Sequence, residues 1–216
     1  MSQESRKSSP ENRLDAMVEA LIEANKKARQ HSHCPLNRMP EFFLATNVAE
    51  YFATHFINFG YRLEASVKGT LADGGVPARA IERLLEDKEL RGNGRFDLVL
   101  RTGRRDVPAH VVEFKRGSRH GDLLEDLVRL AYVCETVRAG ARLETNYLVF
   151  TTRRSEEELA QMLARQERDR KSVKHLRHGV SYRLGRYQVI DRWMNTAFEM
   201  TDKPLAVAIF EVRFKG

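Results

Sequence analysis

Two short runs of β-forming residues, separated by a polar break that contains glycine, most constrain the fold of this chain. The runs are residues 95–100 and 111–115, and the break between them contains Gly103 and Pro108. Apolar and polar residues alternate in both runs, which is typical of strands that are buried on one face. A glycine-bearing break between two such runs indicates a turn. The chain is therefore predicted to form an antiparallel hairpin.

Three ionisable side chains share one face of this predicted hairpin. Asp97 and Glu113 are equidistant from position 105, inside the break, so they should lie opposite one another. Lys115 is two residues beyond Glu113, which places it on the same face. Neighbouring carboxylates repel unless a cation binds between them, so a divalent metal site is predicted, with a solvent-facing charge ladder as the alternative. The opposite, apolar face is predicted to contain Phe96, Leu98, Leu100, Val112 and Phe114.

The chain contains a second Glu-x-Lys pattern, which serves as an internal comparison. Glu86 and Lys88 follow apolar residues with helical spacing, such as Ile81 and Leu85. Residues two apart on a helix point in different directions, so this copy is predicted to be a solvated surface.

The residues around the hairpin resemble the PD-(D/E)XK nuclease superfamily, in the branch of restriction-endonuclease-like and Holliday-junction-resolvase-like proteins. The resemblance covers about residues 40–153: a helix with a glutamate, a strand, a strand with Asp97, a strand ending in Glu113 and Lys115, and a helix. Phe96 stands where the superfamily's name expects proline. The resemblance implies an α/β (α+β) fold, with a mixed central sheet flanked by helices.

The resemblance also implies a function and a set of site residues. It implies a Mg²⁺- or Mn²⁺-dependent endonuclease, a hydrolase acting on DNA phosphodiester bonds. Asp97 and Glu113 would be metal ligands together with the backbone carbonyl of Phe114, and Lys115 would be catalytic. Carboxylate and carbonyl oxygens are the ligands that such hard cations prefer. Two alternatives remain: a catalytically inactive, nuclease-like nucleic-acid-binding module, and a structural or partner-binding subunit.

Glu41 is the candidate auxiliary ligand. The sequence predicts a helix from Pro40 to about Asn58, with an apolar stripe centred near Ala45 and Phe52. Glu41 falls within this stripe and Glu50 nearly opposite, and a buried carboxylate is costly unless it is paired or binds a metal. Because the first helix of the resembled superfamily supplies a glutamate, Glu41 is assigned to the metal site. Alternatively, it is simply a first-turn acid favoured by the helix dipole.

The charge of the chain favours a polyanionic partner, predicted to be DNA. The formal net charge is +7, and basic residues are dense between Arg165 and Arg192. This basic segment either contacts phosphates or forms an ordinary solvated surface. A homodimer is one arrangement that the resemblance allows, because cutting both strands with one such site usually needs two copies. The residues predicted to contact nucleic acid are Arg95, Arg116, Arg119, Lys171, Lys174 and Arg177.

No apolar run approaches the length of about 20 residues that a membrane span needs, and no secretory signal is recognised. Two cysteines, Cys34 and Cys134, are too few for a disulfide framework. The protein is therefore predicted to be cytoplasmic and not membrane-bound.

Residues 1–36 are predicted to be an extension with a polar helix, and residues 37–216 a single nuclease-like domain with a basic C-terminal part. The other predicted helices cover residues 77–91, 122–138 and 156–170, and the other strands cover 61–67, 146–152, 181–190 and 205–214.

Overall fold

The computed structural model describes residues 6–102, 105–137, 142–168, 179–191 and 203–215. These residues form a six-stranded mixed sheet that is flanked by helices, which confirms the predicted α+β class. The helices are α1 (Pro10–Ser32), α2 (Glu41–His55), α3 (Val67–Asp73), α4 (Ala78–Leu85), α5 (His120–Thr136) and α6 (Glu156–Arg168). The strands are β1 (Phe59–Ser66), β2 (Arg95–Thr102), β3 (Val107–Lys115), β4 (Thr145–Thr152), β5 (Val180–Asp191) and β6 (Leu205–Phe214). Within the described ranges, no helix is both long and apolar enough to cross a membrane.

The order of strands across the sheet is β1-β2-β3-β4-β6-β5. β3 and β4 are parallel, and every other neighbouring pair is antiparallel. A parallel pair needs a crossover connection, which α5 provides here. The carboxyl ends of β3 and β4 therefore lie side by side, and α5 begins just beyond the end of β3.

Helices cover both faces of the sheet. On one face, called the α2 face, α2 packs on β2 and β3, and α1 packs on α2, β5 and β6. The core of this face includes Leu98, Leu100, Val112 and Phe114. On the other, the α5 face, α5 packs with α3, α4 and α6 on a second apolar cluster. The apolar residues Leu14, Met17 and Leu21 of α1 are buried in the core of the α2 face.

The hairpin of β2 and β3 has the predicted register, but the predicted division of its faces is wrong at Phe96. From Leu98 to Leu100 the pairing is centred on position 105 as expected, and it shifts by one residue between Leu100 and Arg101, nearer the turn. Phe96 packs on the α5 face rather than the α2 face. Its partner Ala65 does the same, directly after Glu64, which has a left-handed backbone with φ of 49°. This conformation interrupts the strict alternation of faces that the prediction assumed.

The predicted helix over 77–91 is too long, because α4 ends at Leu85. The chain then turns tightly toward β2. A side chain at Gly92 would collide with the backbone of Leu85, and a Cβ at Gly94 would lie 2.9 Å from the carbonyl oxygen of Arg91. Only glycine tolerates such close approaches. This turn places residues 86–94 against α5.

Candidate active site at the carboxyl end of β3

The carboxyl end of β3 brings together charged side chains from four elements. β3 itself contributes Glu113 and Lys115, and β2 contributes Asp97. α2 begins with Glu41 on one side of the strand end. On the other side, the middle of α5 supplies further charges, which are described below. The Asp–Glu–Lys set from the sequence is therefore brought to one place.

Asp97 interacts with the backbone of β3. Its Oδ2 accepts a hydrogen bond from the Phe114 amide, with an N–O distance of 2.7 Å. The regular pairing of β2 with β3 begins at Leu98. The carboxylate of Asp97 therefore satisfies the Phe114 amide, which lies beyond the last paired residues of the two strands. Burial raises the pKa of Asp97 above its usual value, although the Phe114 amide and the charge of Lys115 oppose this shift.

Glu113 is a buried carboxylate that is paired with an arginine from α5. Only 2% of Glu113 is exposed, and its Oε1 lies 2.6 Å from Nη1 of Arg129. Burial and the neighbouring charge of Asp97 raise the pKa of Glu113 well above its usual value, despite the guanidinium. The charge of Asp97 thus disfavours ionisation of Glu113, whereas a hydrogen bond with the Glu113 carboxyl lowers the pKa of Asp97.

Arg129 connects this carboxylate to the turn that precedes β2. Its Nε donates to the Leu90 carbonyl at 3.1 Å, and its Nη2 donates to the Arg95 carbonyl at 2.9 Å. The guanidinium carbon also lies 4.6 Å from the centre of the Phe96 ring, a cation–π distance. The position of Phe96 on the α5 face thus gives Arg129 an aromatic surface to pack on.

Lys115 lies between two carboxylates. Its Nζ is 2.8 Å from Oδ2 of Asp126 and 3.8 Å from Oε2 of Glu41, and it donates to the Phe114 carbonyl at 3.1 Å. Burial alone would lower the pKa of Lys115, but the charge and hydrogen bond of Asp126 and the charges of Glu41 and Asp97 raise it overall. Lys115 is therefore an ammonium ion at neutral pH.

Glu41 reaches the end of β3 from the start of α2. Its Oε1 accepts a hydrogen bond from the Arg116 amide at 3.2 Å, and its side chain is 34% exposed. Glu41 is thus less buried than the apolar stripe suggested, because it is the first residue of the helix. Glu50 is exposed. Of the two glutamates considered, Glu41 is the one that contacts the predicted site.

The predicted nucleic-acid contacts divide into two groups. Arg95, Arg116 and Arg119 are exposed near the ends of β2 and β3, and Arg95 donates to the Glu64 carbonyl at 2.8 Å. The other three, Lys171, Lys174 and Arg177, lie outside the described residues.

Two further arginines of the basic segment belong to β5 and form ion pairs within the protein. Arg183 binds Glu211 with an N–O distance of 2.9 Å, and Arg186 pairs with Asp15. These two side chains therefore bind acidic residues of the protein itself.

Two residues of α5 contact the Glu-x-Lys motif and were not predicted from the sequence, namely Asp126 and Arg129. Both are buried in the face that α5 presents to the sheet, among Leu123, Leu127 and Leu130. The pattern contained a usable signal, because a charged residue in the apolar stripe of a helix needs a partner. The criterion that singled out Glu41 on α2 therefore also applies to Asp126 and Arg129 on α5.

The donor chemistry of this site is compatible with a hard divalent cation. Asp97 and Glu113 offer carboxylate oxygens, and a bound cation would relieve the repulsion that the charge of Asp97 exerts on Glu113. However, no three His, Cys, Asp or Glu side chains in the described part of the chain form a group arranged to hold a metal ion. Glu113 is instead neutralised by Arg129. A metal ion would therefore have to compete with this guanidinium.

Comparisons with family models, with curated proteins and with solved structures gave no match to this chain.

Proposed function

We propose that this protein is a metal-dependent nuclease that hydrolyses DNA phosphodiester bonds. The observation that carries the proposal is the proximity of Asp97, Glu113 and Lys115 at the end of β3, where buried carboxylates lie beside an ammonium ion. Buried carboxyl groups with raised pKa values, lying close together, are typical of catalytic centres. The resemblance to the PD-(D/E)XK superfamily supports the same function.

Each residue has a distinct role in this proposal. Asp97, Glu113 and the Phe114 carbonyl are the oxygens that would hold Mg²⁺ or Mn²⁺, with Glu41 as an auxiliary ligand. A metal ion held there would supply an activated water and positive charge beside the phosphate. Lys115 stabilises the charge that develops on the phosphate oxygens, rather than removing a proton, because its raised pKa keeps it protonated.

The substrate contacts are part of the same proposal. Arg116 and Arg119 follow directly after the catalytic strand and are exposed, so they can contact the DNA backbone. The net charge of +7 favours the same partner. We also propose a cytoplasmic location, and a homodimer for cleavage of both strands.

Plasmid cleavage tests this function. Supercoiled DNA is incubated with wild type in Mg²⁺, in Mn²⁺ and in EDTA, and with the variants Asp97→Asn and Lys115→Ala. The expected result is cleavage by wild type in either metal and a loss of at least a hundredfold in both variants. Lys88→Ala, in the exposed Glu-x-Lys copy, is the matched control and should cleave like wild type. Equal cleavage by Asp97→Asn and wild type would refute the proposal.

A second candidate is a nuclease-like module that binds nucleic acid without cutting it. The ion pair between Arg129 and Glu113 favours this second candidate, because the guanidinium already binds the carboxylate that a metal ion would need as a ligand. DNA retention in EDTA without cleavage in any metal would support this candidate. Absence of DNA binding even at low salt would instead indicate a structural or partner-binding subunit.

A further inference from the structure

We infer that Asp126 is the positioning residue for Lys115, and that α5 thereby sets the geometry of the Glu-x-Lys motif. The catalytic meaning of this inference rests on the proposed nuclease function. The contact itself does not, because it concerns only where the ammonium of Lys115 is held.

The two partners differ in how firmly they are fixed. The Asp126 side chain is 2% exposed and lies on a helix whose neighbouring residues are buried in the core. Its second oxygen is paired with Arg91. Lys115 is the last residue of β3, and its side chain is 22% exposed. A lysine side chain has several rotatable bonds, so its position depends on its partner. Asp126 is thus the fixed member of the pair.

A second carboxylate competes for the same ammonium. Glu41 lies 3.8 Å from Nζ, against 2.8 Å for Asp126, and it is also the more exposed of the two. Asp126 is close enough to Asp97 and Glu113 for its charge to act on both carboxyls. The preference of Lys115 for Asp126 over Glu41 therefore keeps the ammonium beside the two candidate metal ligands. Without Asp126, the ammonium is expected to turn toward Glu41 and solvent.

Two oppositely charged residues of α5 contact the two charged residues of the motif on β3. Glu113 and Lys115 are two residues apart on a strand, which separates them by about 7 Å along the chain. Asp126 and Arg129 are three residues apart on a helix, which separates them by about 4.5 Å along its axis and leaves them on one face. Asp126 contacts Lys115, and Arg129 contacts Glu113. The helix thus offers an opposite charge to each member of the motif.

Chemical labelling of lysines tests the contact independently of any enzymatic activity. The folded protein is treated briefly with an amine-reactive acylating reagent at pH 8, and the labelling rates of Lys115 and Lys88 are compared by peptide mass spectrometry. Lys88 is exposed and serves as the internal standard. In wild type, Lys115 should react at less than about one-tenth the rate of Lys88, because ion-paired ammonium groups react slowly. Equal rates in wild type would overturn the inference without any variant.

The isosteric variant Asp126→Asn removes the charge but keeps the shape. Labelling of Lys115 relative to Lys88 should rise at least threefold in this variant. Asp122→Asn, at an exposed position one turn earlier on α5, is the matched control and should leave the ratio unchanged. An unchanged ratio in Asp126→Asn would overturn the inference, whatever the cleavage assay gives.

Cleavage kinetics then test the catalytic meaning. Asp126→Asn should lower kcat at least tenfold and leave KM for DNA within about twofold, because the residue acts on Lys115 and not on the substrate. A kcat equal to that of wild type would overturn the inference. If wild type does not cleave DNA at all, the proposed function fails, and the labelling ratio alone decides whether Asp126 positions Lys115.

Discussion

Replacing Arg129 by methionine should destabilise this protein far more than replacing its partner Glu113 by glutamine. Methionine replaces the aliphatic stem of the arginine but is shorter, so the change removes the guanidinium with its charge, its hydrogen bonds and its contact with the Phe96 ring. Three groups then lose their partner: the buried carboxylate of Glu113 and the carbonyls of Leu90 and Arg95. Breaking a buried ion pair from one side costs about 3–5 kcal/mol.

Glu113→Gln is expected to cost only about 1–2 kcal/mol. The glutamine carbonyl can still accept a hydrogen bond from Arg129, and the repulsion between position 113 and Asp97 disappears. The double variant, Arg129→Met with Glu113→Gln, has no unpaired carboxylate at position 113. Its loss of unfolding free energy should therefore be smaller than the sum of the two single losses by about 1–3 kcal/mol.

Urea unfolding followed by far-ultraviolet circular dichroism at pH 7 measures these costs. Arg95→Met is the matched control, because Arg95 is exposed and its side chain donates to the Glu64 carbonyl. Its cost should stay within about 0.5 kcal/mol. A loss below about 1 kcal/mol for Arg129→Met, or strict additivity in the double variant, would refute the buried ion pair.

Two further predictions concern stability. Burial lowers the pKa of His110 to about 3, whereas the unfolded chain binds that proton near pH 6.5. The free energy of unfolding should therefore decrease as the pH falls through this interval. Between pH 6.5 and 5, it should decrease by about 2 kcal/mol more in wild type than in His110→Gln. Equal pH dependence would contradict this prediction. Gly94→Ala would place a Cβ 2.9 Å from the Arg91 carbonyl oxygen and 3.2 Å from Arg129, so urea unfolding should show a loss of about 1–3 kcal/mol. Gly117→Ala, which meets nothing within 4 Å, is its control, and equal losses would contradict the tight turn.

The parts of the fold that the sequence predicted well depend on local patterns. Alternation and turn chemistry placed the centre of the β2–β3 hairpin at position 105, and the pairs from Leu98 to Leu100 have this centre. The strand Leu205–Phe214 has the predicted bounds, because it is a continuous apolar run that ends in charged residues. Such features need no knowledge of distant residues.

The parts that it missed depend on contacts between distant segments. Phe96 was assigned to the wrong face because strict alternation was assumed, whereas Phe96 and its partner Ala65 on the neighbouring strand both pack on the α5 face. α4 was made too long because the close approach of Gly92 to Leu85 exists only in the folded chain. Asp126 was not recognised because its partners come from β3 and from the turn before β2.

A crystal structure of the protein soaked in Mn²⁺ would test the proposed metal site most directly, because anomalous scattering locates the ion without reference to activity. The expected result is an ion bound by the carboxylates of Asp97 and Glu113, with the Arg129 guanidinium displaced from Glu113. A structure in which the Arg129–Glu113 ion pair persists at saturating Mn²⁺, and no ion lies between the two carboxylates, would contradict the metal-dependent mechanism.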